Sequence, residues 1–292
     1  MIGRVSVKYC STRPITFLWP IRIGFCPTSG GGPHLQDYSF DLAERARRIC
    51  RNSESGNGLT SSQNKHDSFT QSEAFVMQNN AVLSPLKETR VRAVIERLIE
   101  SPRLPLGGSP SDNPEISRDP FDYAEYGFSI WPEQGDLIYL LCRGMCATRV
   151  VDFATSIGMS AIYFAAAMRD NGGGTVIGSE LVPEKVTTAR RNLADAGLAD
   201  YAEIREGDAC HTLRDVGGPV DFALIDGWPN GNEPSLARAV IEILAPQIRT
   251  GGYVMNDNAE PDFLEFVRDP ANGFISVRLP LKRGTELCVK VS

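Results

Sequence analysis

Apolar and polar positions change their spacing along the chain, and the changes mark its elements. Val91, Val94, Ile95, Leu98 and Ile99 fall at i, i+3, i+4, i+7 and i+8, the stripe of a helix with one face in a core. Ser84-Pro85 ahead of them reads as an N-cap followed by a first-turn proline. A polar, proline-rich loop from Ser101 to about Asp122 leads to a second helix, which Pro132-Glu133-Gln134-Gly135 opens and Ile138, Leu141 and Cys142 continue. From Arg149 strand-like and helix-like stretches alternate. The runs Val150–Phe153, Thr175–Ser179, Ala202–Arg205, Asp221–Ile225, Tyr253–Met255, Phe274–Leu279 and Glu286–Val291 predict strands. Ser160–Arg169, Pro183–Ala196, Ser235–Ile248 and Asp262–Val267 predict helices. This is a βαβ series with an antiparallel-looking finish, and such sheets bind ligands beyond the carboxyl ends of their strands.

Residues 1–76 have no such pattern. The first 36 carry Arg4, Lys8, Arg13 and Arg22 and no acid, and residues 52–73 are mostly Ser, Asn, Gln, Gly and Thr. A stretch of this composition buries too little apolar surface to order itself. It is expected to be a disordered extension, or upstream sequence read through to a start at Met77, with one short amphipathic helix at Leu42–Ile49. An organellar targeting peptide would share its arginine-rich, acid-poor start, whereas the apolar run at Ile15–Trp19 is too short for a secretory signal. Residues 77–148 then supply N-terminal helices to a catalytic core over 149–292.

Composition narrows the partners. Lys+Arg 30 against Asp+Glu 36 gives a net charge of -6, which opposes phosphate-rich surfaces and argues against nucleic acid. No apolar run approaches the roughly 18 to 20 residues of a membrane span. A small-molecule acceptor is the expected partner, with a homodimer left open. The seven cysteines form no C-x-x-C pair, so they read as free thiols of a reducing, cytoplasmic compartment.

The chemistry stands at the strand ends. The first strand runs into Asp152-Phe153-Ala154-Thr155-Ser156-Ile157-Gly158-Met159-Ser160, a turn with one glycine in place of G-x-G-x-x-G. Asp152 would repel a pyrophosphate and suits a ligand bearing an ammonium and a sulfonium. Glu180 ends the second strand, the place from which a carboxylate grips ribose hydroxyls. Gly207-Asp208-Ala209 follows the third, where an acid can accept from an adenine amine.

These residues resemble the class I S-adenosylmethionine-dependent methyltransferases, and among them the catechol and caffeoyl-CoA O-methyltransferases. The similarity covers about residues 128–291. Its most specific pieces are Pro132-Glu133-Gln134-Gly135, Thr155-Ser156-Ile157-Gly158-Met159-Ser160, Gly207-Asp208-Ala209, Leu224-Ile225-Asp226 and Gly251-Gly252-Tyr253-Val254-Met255-Asn256-Asp257-Asn258. The resemblance implies a Rossmann-like, seven-stranded, mostly parallel sheet with helices on both faces and a final antiparallel strand. It implies S-adenosylmethionine bound by Asp152, Ala154, Thr155, Gly158, Ser160, Glu180, Asp208, Ala209 and Asp226. Within that set Ser160 would hold the methionine carboxylate, Glu180 the ribose and Asp208 the adenine region. It also implies a divalent cation, Mg²⁺ or Ca²⁺, on Asp226, Asp257 and Asn258, a set of hard oxygen donors, with Asp226 the catalytic candidate.

Two departures bear on the transfer. Ala154 stands where the family has glycine, and Asp226-Gly227-Trp228-Pro229 puts proline where metal-dependent members carry a lysine base. Metal activation alone, a carboxylate or His211 are the substitutes in view, and Trp228 could stack on a flat acceptor. An N/D-P-P-Y/F signature is absent after the fourth strand, which favours oxygen over base-nitrogen acceptors. The rivals are an NAD(P)-dependent oxidoreductase, which shares the βαβ start, and a cofactor-binding protein that has lost activity.

Overall fold

A computed structural model describes residues 84–101, 117–227, 234–282 and 284–292. The expectations for residues 1–76, and for Trp228 and Pro229, lie outside the described residues.

Helix α1 spans Thr89–Ile99 and buries Val91, Val94, Ile95 and Leu98, the stripe read from the sequence. Its start differs from the expected one. Glu88, not Ser84, caps it, accepting from the amides of Arg90 and Val91 at 2.9 and 2.8 Å. A carboxylate there satisfies two orphan amides and meets the positive end of the helix dipole. Ser84 instead donates through Oγ to Asp136 Oδ1 at 2.6 Å, tying the segment before α1 to helix α2, Pro132–Gly144. The remaining elements are β1 Arg149–Phe153, α3 Met159–Asp170, β2 Thr175–Glu180, α4 Pro183–Asp195, β3 Ala202–Glu206, α5 Ala209–Thr212, β4 Val220–Ile225, α6 Leu236–Leu244, β5 Ile248–Asn256, α7 Pro261–Arg268, β6 Phe274–Leu279 and β7 Thr285–Lys290.

The seven strands form one sheet in the order β3-β2-β1-β4-β5-β7-β6. Strands β1 to β5 pair in parallel, and β7 runs antiparallel between β5 and β6. The expected Rossmann-like sheet with a final antiparallel strand is therefore present. Most boundaries shift by a residue or two, and the largest change is at Ile248, read as the end of a helix, which begins β5. Ile248 pairs with Val220 and Tyr253 with Phe222, so the four residues 249–252 of β5 stand opposite Asp221 alone. Gly251, at φ 79, and Gly252, whose added Cβ would stand 3.0 Å from the Val220 carbonyl, permit that bulge. Two glycines ahead of a strand hid its first residues from a periodicity argument.

Alternate strand residues face opposite layers. Val150, Val176, Ile204, Phe222 and Leu224 share one core with α1 to α4, while Val151, Ile177, Ala223, Ile225 and Val254 share the other with α5 to α7. Helix α3 is buried from Met159 to Met168, as a helix apolar all round must be. Against it α2 comes so close that a Cβ on Gly135 would overlap the Tyr163 ring. This packing sets the first turn of α2, and Gln134 with it, over the carboxyl edge of the sheet. Among the described residues no helix is long and apolar enough to cross a membrane.

Candidate active site

The turn between β1 and α3 is built from alternating left-handed residues: Ala154 at φ 62, Ser156 at φ 50 and Gly158 at φ 95. The amides of Ala154 and Thr155 both donate to the Ser179 carbonyl, at 3.0 and 3.1 Å, and Thr155 Oγ1 donates to the Asp152 carbonyl at 2.9 Å. Gly158 packs on α4, where an added Cβ would lie 3.2 Å from the Cα of Ala189. The left-handed φ of Ala154 explains why glycine suits that position; alanine keeps the conformation and carries the steric cost.

Asp152 sits at the bottom of this turn, fully buried. Its Oδ2 accepts from Ser160 Oγ at 2.9 Å, and its Oδ1 is buried with no partner. Burial, with the charge of Glu180 behind it, pushes its carboxyl up to about 7 against the pull of Ser160 and Thr155. An orphaned buried carboxylate oxygen is an acceptor for a cationic donor such as an ammonium. Ser129 Oγ is likewise buried without a partner, next to Phe128, whose amide donates to Ser156 Oγ at 3.1 Å. Ser160, expected on a carboxylate, gives its hydroxyl hydrogen to Asp152.

Glu180, at the end of β2, is 7% exposed and accepts from two backbone amides, Ser156 N at 2.7 Å and Val182 N at 2.9 Å. Each oxygen keeps acceptor capacity for hydroxyls. Beside it Lys185 is buried with its ammonium 4.4 Å from the Phe128 ring centroid; burial lowers its pKa, and the charge of Glu180 partly offsets this. Asp208 caps α5, accepting from Cys210 N at 2.8 Å, and is exposed, with Ala209 buried behind it. His211, weighed as a base, is an exposed residue of α5 whose Nδ1 lies 3.6 Å from Asp208 Oδ2. It belongs to the Asp208 end of the site, not to Asp226.

Asp226 and Asp257 do come together, from the ends of β4 and β5. Burial first, and the neighbouring charge of Asp257 second, raise the Asp226 carboxyl well above the carboxylate range; Lys282 pulls the other way. Asp257 is 1% exposed and both of its oxygens are engaged: Gln134 Nε2 donates to one and Lys282 Nζ to the other. Gln134 reaches it from the first turn of α2, where its Oε1 also accepts the Trp131 amide at 2.8 Å and its Nε2 reaches Thr285 Oγ1 at 2.9 Å. Asn258 is exposed and donates through Nδ2 to the Gly227 carbonyl at 3.3 Å.

The expected cation set therefore does not fit a divalent ion. An ammonium lies against the carboxylates, Asp257 has no oxygen without a donor, and Asn258 stands exposed with its Nδ2 on the Gly227 carbonyl. Among the described residues no three His, Cys, Asp or Glu side chains are grouped to hold a metal. Asp226 and Asp257 share a site as expected, and Lys282 brings an ammonium to it. Lys282, Gln134 as a carboxylate donor, Ser129 and Lys185 were not singled out from the sequence. Gln134 stood in a recognised motif without a role, and Lys282 stands in the β6–β7 loop, where no periodicity applies.

The chain matches a family model described as a methyltransferase domain over residues 154–259. It is 29% identical over 170 residues to a catechol O-methyltransferase of Mycobacterium tuberculosis, covering 56% of this chain and 72% of that one. It is 32% identical over 141 residues to a catechol O-methyltransferase of Niastella koreensis, covering 45% of this chain and 63% of the relative. Among solved structures it resembles an O-methyltransferase from Bacillus cereus in complex with SAH, with a TM-score of 0.54, 20% identity and 74% and 96% of the two chains covered. An SAH-bound methyltransferase from Podospora anserina gives a TM-score of 0.52 at 15% identity, with 81% and 100% covered. At such identities the structural likeness speaks for the fold.

Proposed function

We propose that the chain is a class I S-adenosylmethionine-dependent O-methyltransferase and that it methylates a hydroxyl of a small, aromatic or vicinally hydroxylated acceptor. The observation that carries the cofactor placement is the buried pair at the ends of β1 and β2. Asp152 offers a partnerless oxygen and Glu180 a doubly anchored carboxylate. The ammonium of the methionine moiety goes to Asp152 and the ribose hydroxyls to Glu180. The turn Ala154, Thr155 and Gly158, with Ser160 bracing Asp152, cradles the methionine end, while Asp208 and Ala209 line the adenine end.

Asp226 lies between the cofactor and the acceptor, where its carboxyl orients the reacting hydroxyl. In the transfer the sulfonium would supply the methyl, its C–S bond breaking with the electron pair left on sulfur as the C–O bond forms, and the ionised form of Asp226, a stronger base for its raised pKa, would take the hydroxyl proton. Orientation of the oxygen in line with the methyl is the contribution this placement makes. The acidic wall at Asp152 disfavours the pyrophosphate of a dinucleotide, which sets the oxidoreductase alternative aside. Buried free thiols at Cys142 and Cys288 agree with a reducing, cytoplasmic setting.

Calorimetric titration with S-adenosylmethionine and with NADH tests the cofactor. A labelled-methyl screen across catechols, single phenols and aliphatic diols tests the acceptor class. Binding of NADH and not S-adenosylmethionine would overturn the reading, and cofactor binding with no transfer to any hydroxyl would leave a relic in place of an enzyme.

A further inference from the structure

We propose that Lys282 is this protein's built-in cation, its ammonium taking the place beside Asp226 and Asp257 that a divalent ion would otherwise hold, so that methyl transfer proceeds without a metal. The inference rests on the acceptor-end placement proposed above.

Three features of the chain carry it. First, Lys282 Nζ pairs directly with Asp257, whose other oxygen accepts from Gln134, and its charge also acts on Asp226. A dication entering here would have to displace an ammonium already in contact, and two cations at that separation repel. Second, the lysine is brought there by built structure. Lys282 holds a left-handed φ of 50, the Gly284 amide donates to the Leu281 carbonyl at 2.8 Å, and the fully buried Thr285 accepts from the same Gln134 Nε2 that donates to Asp257. One amide thus fixes the carboxylate and the start of β7 after the lysine's loop together. Third, Asn258, whose oxygen would complete the donor set, lies exposed to solvent, with its Nδ2 held by the Gly227 carbonyl. A single positive charge from the chain does what charge alone can do, holding two strand-end carboxyl groups together; it offers none of the open coordination positions through which an ion would clasp vicinal oxygens. The acceptor is then held by hydrogen bonds and shape, so a single hydroxyl is as acceptable as a vicinal pair.

The test uses Mn²⁺ as the probe, read by electron paramagnetic resonance in titrations of the full chain with and without S-adenosylhomocysteine. Wild type, Lys282→Ala, Lys282→Met, Lys282→Arg and Asp257→Asn are compared, with melting curves to show that each is folded. The expected result is no bound Mn²⁺ in wild type or Lys282→Arg, and Mn²⁺ binding tightened by about tenfold or more in Lys282→Ala or Lys282→Met, where the carboxylates have lost their counter-charge. If wild type binds Mn²⁺ and Asp257→Asn removes it, the lysine does not stand for the metal. If both neutral variants remain as blind to Mn²⁺ as wild type, the place is not a cation site, and the proposal fails equally. Absence of S-adenosylhomocysteine binding in the same titrations would instead overturn the cofactor reading, and it is seen independently of the Mn²⁺ signal.

Discussion

Glu180 accepts the amide hydrogen of Ser156 at 2.7 Å, so the carboxylate assigned to the ribose is also the clasp that closes the turn after β1. The same side chain takes the Val182 amide at 2.9 Å. On the proposed placement of the ribose, binding and folding are coupled at this residue. Glu180→Ala is expected to weaken S-adenosylmethionine binding by about 1.5 to 3 kcal/mol, the scale of hydrogen bonds to a charged group, and to lower stability by about 1 to 3 kcal/mol because two amides lose their acceptor. Glu180→Gln keeps one acceptor oxygen and turns an amide NH₂ toward a backbone N–H, so it falls between. Calorimetry and urea unfolding on the same samples check both effects; unchanged affinity with lowered stability would move the ribose elsewhere.

Asp152 gives the pH dependence. Its folded carboxyl is raised to about 7 by burial, with the charge of Glu180 adding and Ser160 and Thr155 opposing. A raised folded pKa means that the group's contribution to the stability of the empty protein is present below about pH 4 and is lost as pH rises toward about 7. A cofactor ammonium needs the carboxylate, so binding has the opposite sign. S-adenosylmethionine affinity is expected to rise between about pH 5 and 7 with a slope approaching tenfold per unit, and to be lower and flat in Asp152→Asn. A wild-type affinity independent of pH over that range would remove Asp152 from the ammonium.

How much of this was legible follows from where each residue stands. Asp152, Glu180 and Asp226 end strands whose β-branched runs are plain, and α/β topology makes strand ends the binding edge, so their placement could be argued from sequence. Phe274–Leu279 has the bounds read for it. The charge partner of Asp257 was not legible, because Lys282 arrives from a hairpin loop whose course depends on how β7 inserts between β5 and β6. Nor did sequence show that Gln134 points from the start of α2 into the β5 end; that depends on the close approach of Gly135 to Tyr163.

Gln134 makes three contacts at once, with Asp257, Thr285 and the Trp131 amide, and is fully buried. Gln134→Ala is expected to cost on the order of 3 kcal/mol in urea unfolding, since it leaves a carboxylate oxygen and a backbone amide without partners. Gln134→Glu should cost more despite its near-identical shape, because it sets a further carboxylate against the Asp226–Asp257 pair. A glutamate variant as stable as wild type would mean that the amide hydrogens on Asp257 matter little.

Gly158 and Ala154 share the left-handed conformation within one turn, yet their substitutions should differ. At Gly158, φ is 95 and an added Cβ meets the Cα and Cβ of Ala189 at 3.2 Å. Gly158→Ala therefore adds a conformational cost of about 1 to 2 kcal/mol to an overpacking cost of about 1 to 3 kcal/mol, and it pushes α3 from α4 at the floor of the cofactor turn. Ala154 already carries the conformational cost at φ 62, and its methyl packs against the core around α5 to α7. Ala154→Gly relieves about 1 to 2 kcal/mol of strain but gives up about 0.8 kcal/mol of methyl burial and adds unfolded-chain entropy of about 0.5 to 1 kcal/mol, so the terms nearly cancel. Gly158→Ala is expected to unfold at clearly lower urea and to bind S-adenosylmethionine weakly; Ala154→Gly should stay within about 1 kcal/mol of wild type in both. Equal losses at the two positions would show that backbone freedom alone, not contact with Ala189, governs the turn.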